Sequence, residues 1–548
     1  MKKISLKLGE LFADHRKMQI LLCIAGAFSI LAGAVVYILI PSLLQHLPSR
    51  SFDALIYYRT QMQFLCRAAL YCGIAAFAVS FFYSKNRDWG QLLTLGAFLT
   101  GAALRLDCCF SRELWNDTLS LAVWLKERSF IEVLSGTGAN SYCQSAPPAF
   151  AVLSKVIGEV AGYKNYTLNI MPMLFSLAGL CYFRTLAGKL LTPFGAVAAL
   201  WLFALNPGAY FYAGEFKQYS GDIFFTIMIL SQTVDYVKAP EKFPWCMVVC
   251  GVTGAFFSHA MFFILPAAGI AMLLSYRRIP FRHLAGVAAI WIPTVLLLAL
   301  WTRAVMPEGM YVHEHHIHGF APLPNSIANL KWYGKTLVEL FISPWGLSWK
   351  FAVFSLLPLA GMCNGIVHLY RSNRVFPDFF LFTMALLLIA SVLHQYSLAA
   401  GAPFAKSRLI LFTIPPALIC FVKGVEVGKW RYLLLPTAFF CVLNVTTSFM
   451  TIARIVPAVK ALEQFHKPGS KVYVNTVAAE CAVKLYSKSP ERYGQLIRVK
   501  FDEIPADAEG SAVFADIPHG QIKFGKCSRS IHPFGLSTFI TIGKKNDH

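Results

Sequence analysis

The chain of 548 residues is 56% hydrophobic and only 14% charged, with a mean hydropathy of +0.55. Soluble domains carry about 25% charged residues, so this composition excludes an ordinary soluble globular protein and points to a polytopic membrane protein. A net charge of +21 would suggest nucleic acid in a soluble protein, but here Lys and Arg gather in short loops between apolar runs and no nucleic-acid motif accompanies them; the charge reads as membrane topology plus attraction to anionic lipid.

The basic segment 1–17 precedes an apolar run, 18–44, that is too long for a signal-peptide core and lacks a small-residue cleavage site. It reads as an uncleaved first span. Further candidates, judged against the roughly 20 apolar residues a span needs, are 62–82, 89–104, 166–187, 192–213, 223–237, 243–257, 260–274, 284–305, 347–370, 376–398, 409–422 and 432–452. The total of about thirteen is odd, which sets the termini on opposite sides. Loops carrying Lys85, Arg87, Arg184, Lys189, Lys238, Lys242, Arg277, Arg278, Arg282, Arg371, Arg374, Lys423, Lys429 and Arg431 form one set with the basic N-terminus, and the positive-inside rule places them in the cytoplasm. The long loops 105–165 and 306–343, the segment around Glu215, the loop 399–406 and the C-terminal segment then face out of an inner (plasma) membrane. The tail differs in kind: 471–474, 496–499, 512–515 and 538–542 read as short strands, with a helix at 477–487. The fold class expected is therefore mainly α, with a hairpin of spans at 1–88, a main membrane unit at 89–455 and a small soluble extracytoplasmic α/β domain at 456–548.

Two polar clusters interrupt this pattern. Glu113-Leu114-Trp115-Asn116-Asp117 follows one apolar run, and Glu215-Phe216-Lys217-Gln218-Tyr219-Ser220-Gly221-Asp222 sits between two. A charge at the bilayer centre costs about 2.5–3.5 kcal/mol on insertion scales, so both clusters belong at a membrane face or in a polar cavity, and both fall on the outer side. Residues 119–134 mix apolar and charged positions as a helix lying along the interface would, and 149–160 reads as a second short helix after Pro147-Pro148, packed against the membrane. Asp117 near the start of the first helix also suits plain capping. Cys108, Cys109, Cys143, Cys481 and Cys527 lie outside the apolar runs and read as unpaired thiols, a Cys109–Cys143 disulfide being the alternative. His313-Glu314-His315-His316-Ile317-His318 has no recognised metal-site spacing and reads as a solvated loop, and Ser258-His259 as a packed polar pair. The chain shows neither an internal repeat nor a Gly-rich phosphate loop in its tail.

The order of these features resembles membrane glycosyltransferases of the GT-C fold, closest to the bacterial family 39 type, kin of protein O-mannosyltransferases and lipid A aminoarabinose transferases. Asn116-Asp117-Thr118 takes the place of the family's Asp-Glu-Ala-like motif. Gln144-Ser145-Ala146-Pro147-Pro148 matches its Gln-x-Ala-Pro-Pro stretch. Tyr212-Ala213-Gly214-Glu215-Phe216-Lys217-Gln218-Tyr219-Ser220-Gly221-Asp222 matches Tyr-x-x-Glu-x-Lys-Pro-Tyr-Ser-x-Asp, and Ala402-Pro403-Phe404-Ala405-Lys406-Ser407-Arg408 echoes Tyr-Pro-Phe-x-x-x-Arg. The likeness covers roughly residues 89–452. Thr118 departs from the usual Glu, and the first two spans look like an added hairpin.

The resemblance implies transfer of a sugar, with inversion, from a polyprenyl-phosphate donor to an acceptor hydroxyl on a protein, lipid or glycan. On it Asp117 is the general base, Glu215 a second carboxylate, and Glu113 its reserve; Lys217 and Arg408, backed by Arg105 and Lys406, hold the departing phosphate. Asp222 orients Lys217 or the sugar, and Tyr219 stacks on sugar or lipid. No cofactor is implied, and no metal is indicated. Membrane lipids are the remaining partner. Rival readings are an oligosaccharide ligase or polymerase using diphosphate-linked donors, a lipid or sugar transporter, and a non-catalytic assembly factor of the same fold.

Overall fold

The computed structural model describes residues 24, 26, 27, 29–31, 67, 69–76, 89–114, 116–139, 146–275, 277–305, 320–342, 356–396, 409–427, 455–467, 469–499, 503–504, 510–514, 523–524, 528–534 and 537–543. Arg408, Lys406, Gln144, Ser145, Cys143, Cys527, the histidine-rich loop 313–318, the span 432–452 and most of the first two spans lie outside these residues.

Among the described residues four helices are long and apolar enough to cross a membrane: α1 (Trp89–Ser111), α5 (Asn165–Leu190), α10 (Phe281–Val305) and α13 (Val375–Val392). Around them lie α2 (Asn116–Glu127), α3 (Phe130–Ser135), α4 (Pro148–Ala161), α6 (Pro193–Ala204), α7 (Tyr219–Lys238), α8 (Trp245–Phe257), α9 (Met261–Leu274), α11 (Ile327–Ile342), α12 (Leu356–Ser372) and α14 (Ile414–Glu426). The run 192–213 is not a straight helix. It bends by 56° between α6 and the helical residues 208–214. Pro207 disfavours helix at Asn206, and the Asn206 side chain instead caps a new turn by accepting the Ala209 N–H at 3.1 Å. The runs 243–257 and 260–274 form α8 and α9, of 13 and 14 residues. At 1.5 Å per residue each reaches only about 20 Å, short of a typical hydrocarbon core.

The helix ends sort into two groups. At one, Thr192 N–H donates to Glu426 Oε1 (2.9 Å), Lys423 Nζ reaches Leu190 O (3.2 Å), and Lys189 pairs with Asp235. At the other lie the C-terminal end of α1, the start of α5, the 205–218 turn, the start of α7 and the α8–α9 turn. α12 and α14 cross in close contact: a Cβ on Gly365 would lie 1.7 Å from Cys420 O, and one on Gly424 1.8 Å from Gly361 O. Small residues let two backbones approach this far, the usual device for helix pairs in lipid. The helical segment 69–76 meets α1 through Arg67, whose Nη1 lies 3.2 and 3.1 Å from the two carboxylate oxygens of Asp107.

The expected interfacial helix 119–134 is corrected. It breaks at Arg128-Ser129, where Ser129 and Glu132 form a reciprocal cap that starts α3. α2 is not laid on a membrane surface either: Leu121, Ala122, Trp124 and Leu125 are buried, in one apolar cluster with Ala478, Ala479, Ala482 and Val483 of the tail. α4 does present an apolar outer face, with Val160 83% exposed, while its inner Phe150 packs on Phe216 with ring centroids 5.8 Å apart.

The tail begins with α15 (Ile455–Phe465) and builds a five-stranded sheet in the order β2-β1-β4-β7-β6. β1 (Lys471–Val474) pairs in parallel with β2 (Leu496–Arg498) and β4 (Gly510–Phe514), α16 (Val477–Tyr486) crossing between the first two; β7 (Ser537–Gly543) and β6 (Ser528–Phe534) add antiparallel. β3 (Glu503–Ile504) and β5 (Lys523–Phe524) pair separately. Sequence reading misses β6 because Pro533 breaks its pattern; Pro is tolerated there because β6 is an edge strand.

Candidate functional site

The first cluster and the turn before α7 meet at the same end of the helices. Arg112, just past α1, donates from Nη1 to Phe211 O at 3.0 Å across 99 positions. Its guanidinium carbon lies 3.5 Å from the centre of the Phe211 ring, and Nη2 pairs with Glu215 Oε2 at 2.9 Å. Arg112 was not singled out from the sequence. The signal was there, a lone Arg beside an acidic residue immediately after an apolar run, but only the fold supplies its partner. The pair is nearly dry, at 11% and 5% side-chain exposure.

The turn carrying Glu215 is tightly specified. Gly214 rests on α1 so closely that a Cβ would sit 2.3 Å from Cys108 O. Ser220 Oγ donates to Tyr212 O at 2.9 Å, and Phe216, fully buried, anchors the turn on α4. Lys217 is 8% exposed beside Glu215. Asp222 lies in the first turn of α7 and accepts from Ser258 Oγ at 2.6 Å and from the Ala260 N–H. It therefore joins the starts of α7 and α9, where helix dipoles favour an anion. Ser258 is thus part of a packed polar pair, its partner being Asp222.

Leu409–Thr413 closes the same region. Tyr396 OH donates to Leu409 O at 2.7 Å, and Leu411 packs so near the 205–218 turn that a Cβ on Gly208 would lie 2.7 Å from its Cδ2.

Asp117 lies in the first turn of α2, partly buried, five residues after Arg112. Thr118 is 1% exposed.

Three expected site residues turn out to have structural partners. Arg105 is fully buried and donates to Ser176 Oγ (2.8 Å), Gly101 O (2.9 Å) and Ala204 O (3.2 Å), joining α1, α5 and α6. Glu113 accepts the Val456 N–H at 3.2 Å, in the first turn of α15. Tyr219 is 6% exposed, and its ring stands at 80° to that of Tyr212 with centroids 5.2 Å apart. Cys108, Cys109 and Cys481 are free thiols, and the Cys109 thiol points to Tyr166 O at 3.7 Å. No group of three metal-ligating side chains occurs among the described residues.

No family model and no curated protein matches this chain. Among solved structures it aligns with ArnT from Cupriavidus metallidurans bound to undecaprenyl phosphate, at 12% identity and a TM-score of 0.48, over 82% of this chain and 97% of that one. The apo form of the same protein aligns at 11% identity and a TM-score of 0.46, over 83% and 97%. The Archaeoglobus fulgidus oligosaccharyltransferase in complex with zinc and sulfate aligns at 12% identity and a TM-score of 0.42, over 74% of this chain and 62% of that one.

Proposed function

We propose that this chain is an integral-membrane glycosyltransferase of the GT-C type, moving a sugar from a polyprenyl-phosphate donor to an acceptor hydroxyl on the extracytoplasmic side, with inversion. The observation that carries the reading is the Arg112–Glu215 pair. It ties the loop bearing Asp117 to the turn bearing Lys217, so the two segments that match the family's motifs are held together. In this reading the Asp117 carboxylate takes the acceptor's hydroxyl proton as its oxygen bonds to the anomeric carbon. The bond from that carbon to the phosphate oxygen breaks, and polyprenyl phosphate leaves with the electron pair. A phosphate is a stable anion, so it needs cations rather than a proton; Lys217 is the first of these, with Arg408 and Lys406 as further candidates. Charge stabilisation of this kind is often the largest catalytic term. Glu215 holds Arg112 and keeps the buried turn near neutrality, while Asp222 fixes the start of α7. No cofactor takes part. Two rows of aligned helix ends, one bearing Lys189 and Lys423 and the other bearing the site, support an N-terminus in the cytoplasm and a site and tail outside.

The test uses purified protein in liposomes supplied with a panel of polyprenyl-monophosphate sugars. Lys217→Met is expected to lower kcat/KM for the donor by about 10²–10³-fold, the usual cost of one lost stabiliser of developing charge. Wild-type kinetics in Lys217→Met would remove that lysine from the phosphate site.

A further inference from the structure

We propose that the C-terminal α/β unit is a positioning element for the α2 helix, with Tyr486 and Glu113 as its positioning residues. The idea rests on the reading of Asp117 as the base. α2 has 12 residues, and an isolated helix of that length is marginal in water; its order must come from packing. α4 supplies part of that packing, its Lys155 Nζ donating to Leu125 O at 2.9 Å, and the tail supplies contacts at both ends and the middle. Ahead of the first turn, the Glu113 carboxylate accepts the Val456 N–H of α15. The Tyr486 hydroxyl accepts the Leu114 N–H and donates to Asn165 Oδ1, the first residue of α5, so α16 pins the α2 approach to a long helix of the bundle. Burial, and next the Glu113 charge, push the Tyr486 hydroxyl well up, which keeps it protonated and able to donate.

In mid-helix Ser120, 4% exposed, hydrogen-bonds Cys481, whose thiol burial pushes up to about 11 and so holds neutral. Leu119, Ala122 and Val123 share one buried cluster with Ala478, Ala482 and Val483. At the last turn Lys484 lies 3.8 Å from Glu127, a half-exposed contact that contributes little. Contacts to one unit thus precede, line and end the helix whose first turn carries Asp117. A misplacement of 1 Å at a reacting group can cost about a hundredfold in rate, which makes this docking functional as well as structural.

The experiment compares wild type, Tyr486→Phe and the double variant Glu113→Ala/Tyr486→Phe in liposomes by steady-state kinetics and by amide hydrogen exchange. Faster exchange at 116–127, with β1 and β4 as protected as in wild type, is expected in both variants, together with a fall in kcat of about ten- to a hundredfold and an unchanged donor KM. Unchanged exchange at 116–127 in the double variant overturns the proposal whatever the rate. If exchange at 116–127 rises while kcat stays at the wild-type value, α2 is held by the tail without catalytic consequence, which overturns it too. Asp117→Asn separates the two readings: a wild-type rate in that variant removes Asp117 as the base, and faster 116–127 exchange in Tyr486→Phe would still show that the tail orders α2.

Discussion

Asp117→Asn is expected to reduce sugar transfer by about 10²–10⁴-fold, the usual contribution of a positioned general base, while protein yield and unfolding temperature change little. The amide keeps the size of the side chain and much of its hydrogen bonding but cannot accept a proton near neutral pH. Asp117 lies in the first turn of α2, where loss of its charge forfeits only about 0.3–1 kcal/mol of helix-dipole stabilisation. The two roles thus separate by magnitude. Transfer rates for the purified variant, set beside its thermal unfolding, decide between them: a rate within a factor of two of wild type would reduce Asp117 to a cap.

The second large effect falls on stability. Arg112→Leu removes one side of the buried pair with Glu215, whose carboxylate is 5% exposed, and breaking a buried pair from one side costs about 3–5 kcal/mol. Arg112→Leu/Glu215→Leu removes both charges and is expected to regain most of that loss, though not all, because the stacking on Phe211 and the bond to its carbonyl are gone. Both variants should be inactive, since the turn carrying Lys217 loses its tie to the Asp117 loop. Denaturant unfolding in detergent checks this. Equal losses in the single and double variants would mean that the Glu215 carboxylate left behind in Arg112→Leu carries no penalty of its own.

Local chemistry made much of the membrane part legible. The apolar run that begins at Trp89 and those inside α5, α10 and α13 are long and nearly uncharged, so length and hydropathy mark them. Asn206-Pro207 could have marked the bend after α6, for a capping residue before Pro is a helix-start signal, but the surrounding apolar run masks it. What the sequence could not show were partners far along the chain. Arg112 meets Phe211 across 99 positions, and Glu113 meets Val456 across 343. Both look like ordinary loop charges until the fold brings the partners in. Arg105 is the converse case: an Arg at the end of an apolar run suggests an exposed cation, yet carbonyls and a serine from three helices surround it. α2 misled similarly, because a mixed apolar and charged helix can lie on lipid or pack under a second unit. The cover that decides between them is α16, more than 300 residues later in the chain.

The central claim, transfer from a lipid monophosphate donor by a base at Asp117, is tested most directly by mass spectrometry of lipid extracts and envelope glycans. Cells lacking the protein are compared with cells complemented by wild type or by Asp117→Asn. One polyprenyl-monophosphate sugar is expected to accumulate, and the same sugar to disappear from an envelope acceptor, in the deletion strain and with Asp117→Asn but not with wild type. Accumulation of a diphosphate-linked glycan instead, or lipid-linked sugars identical in all strains, would contradict it.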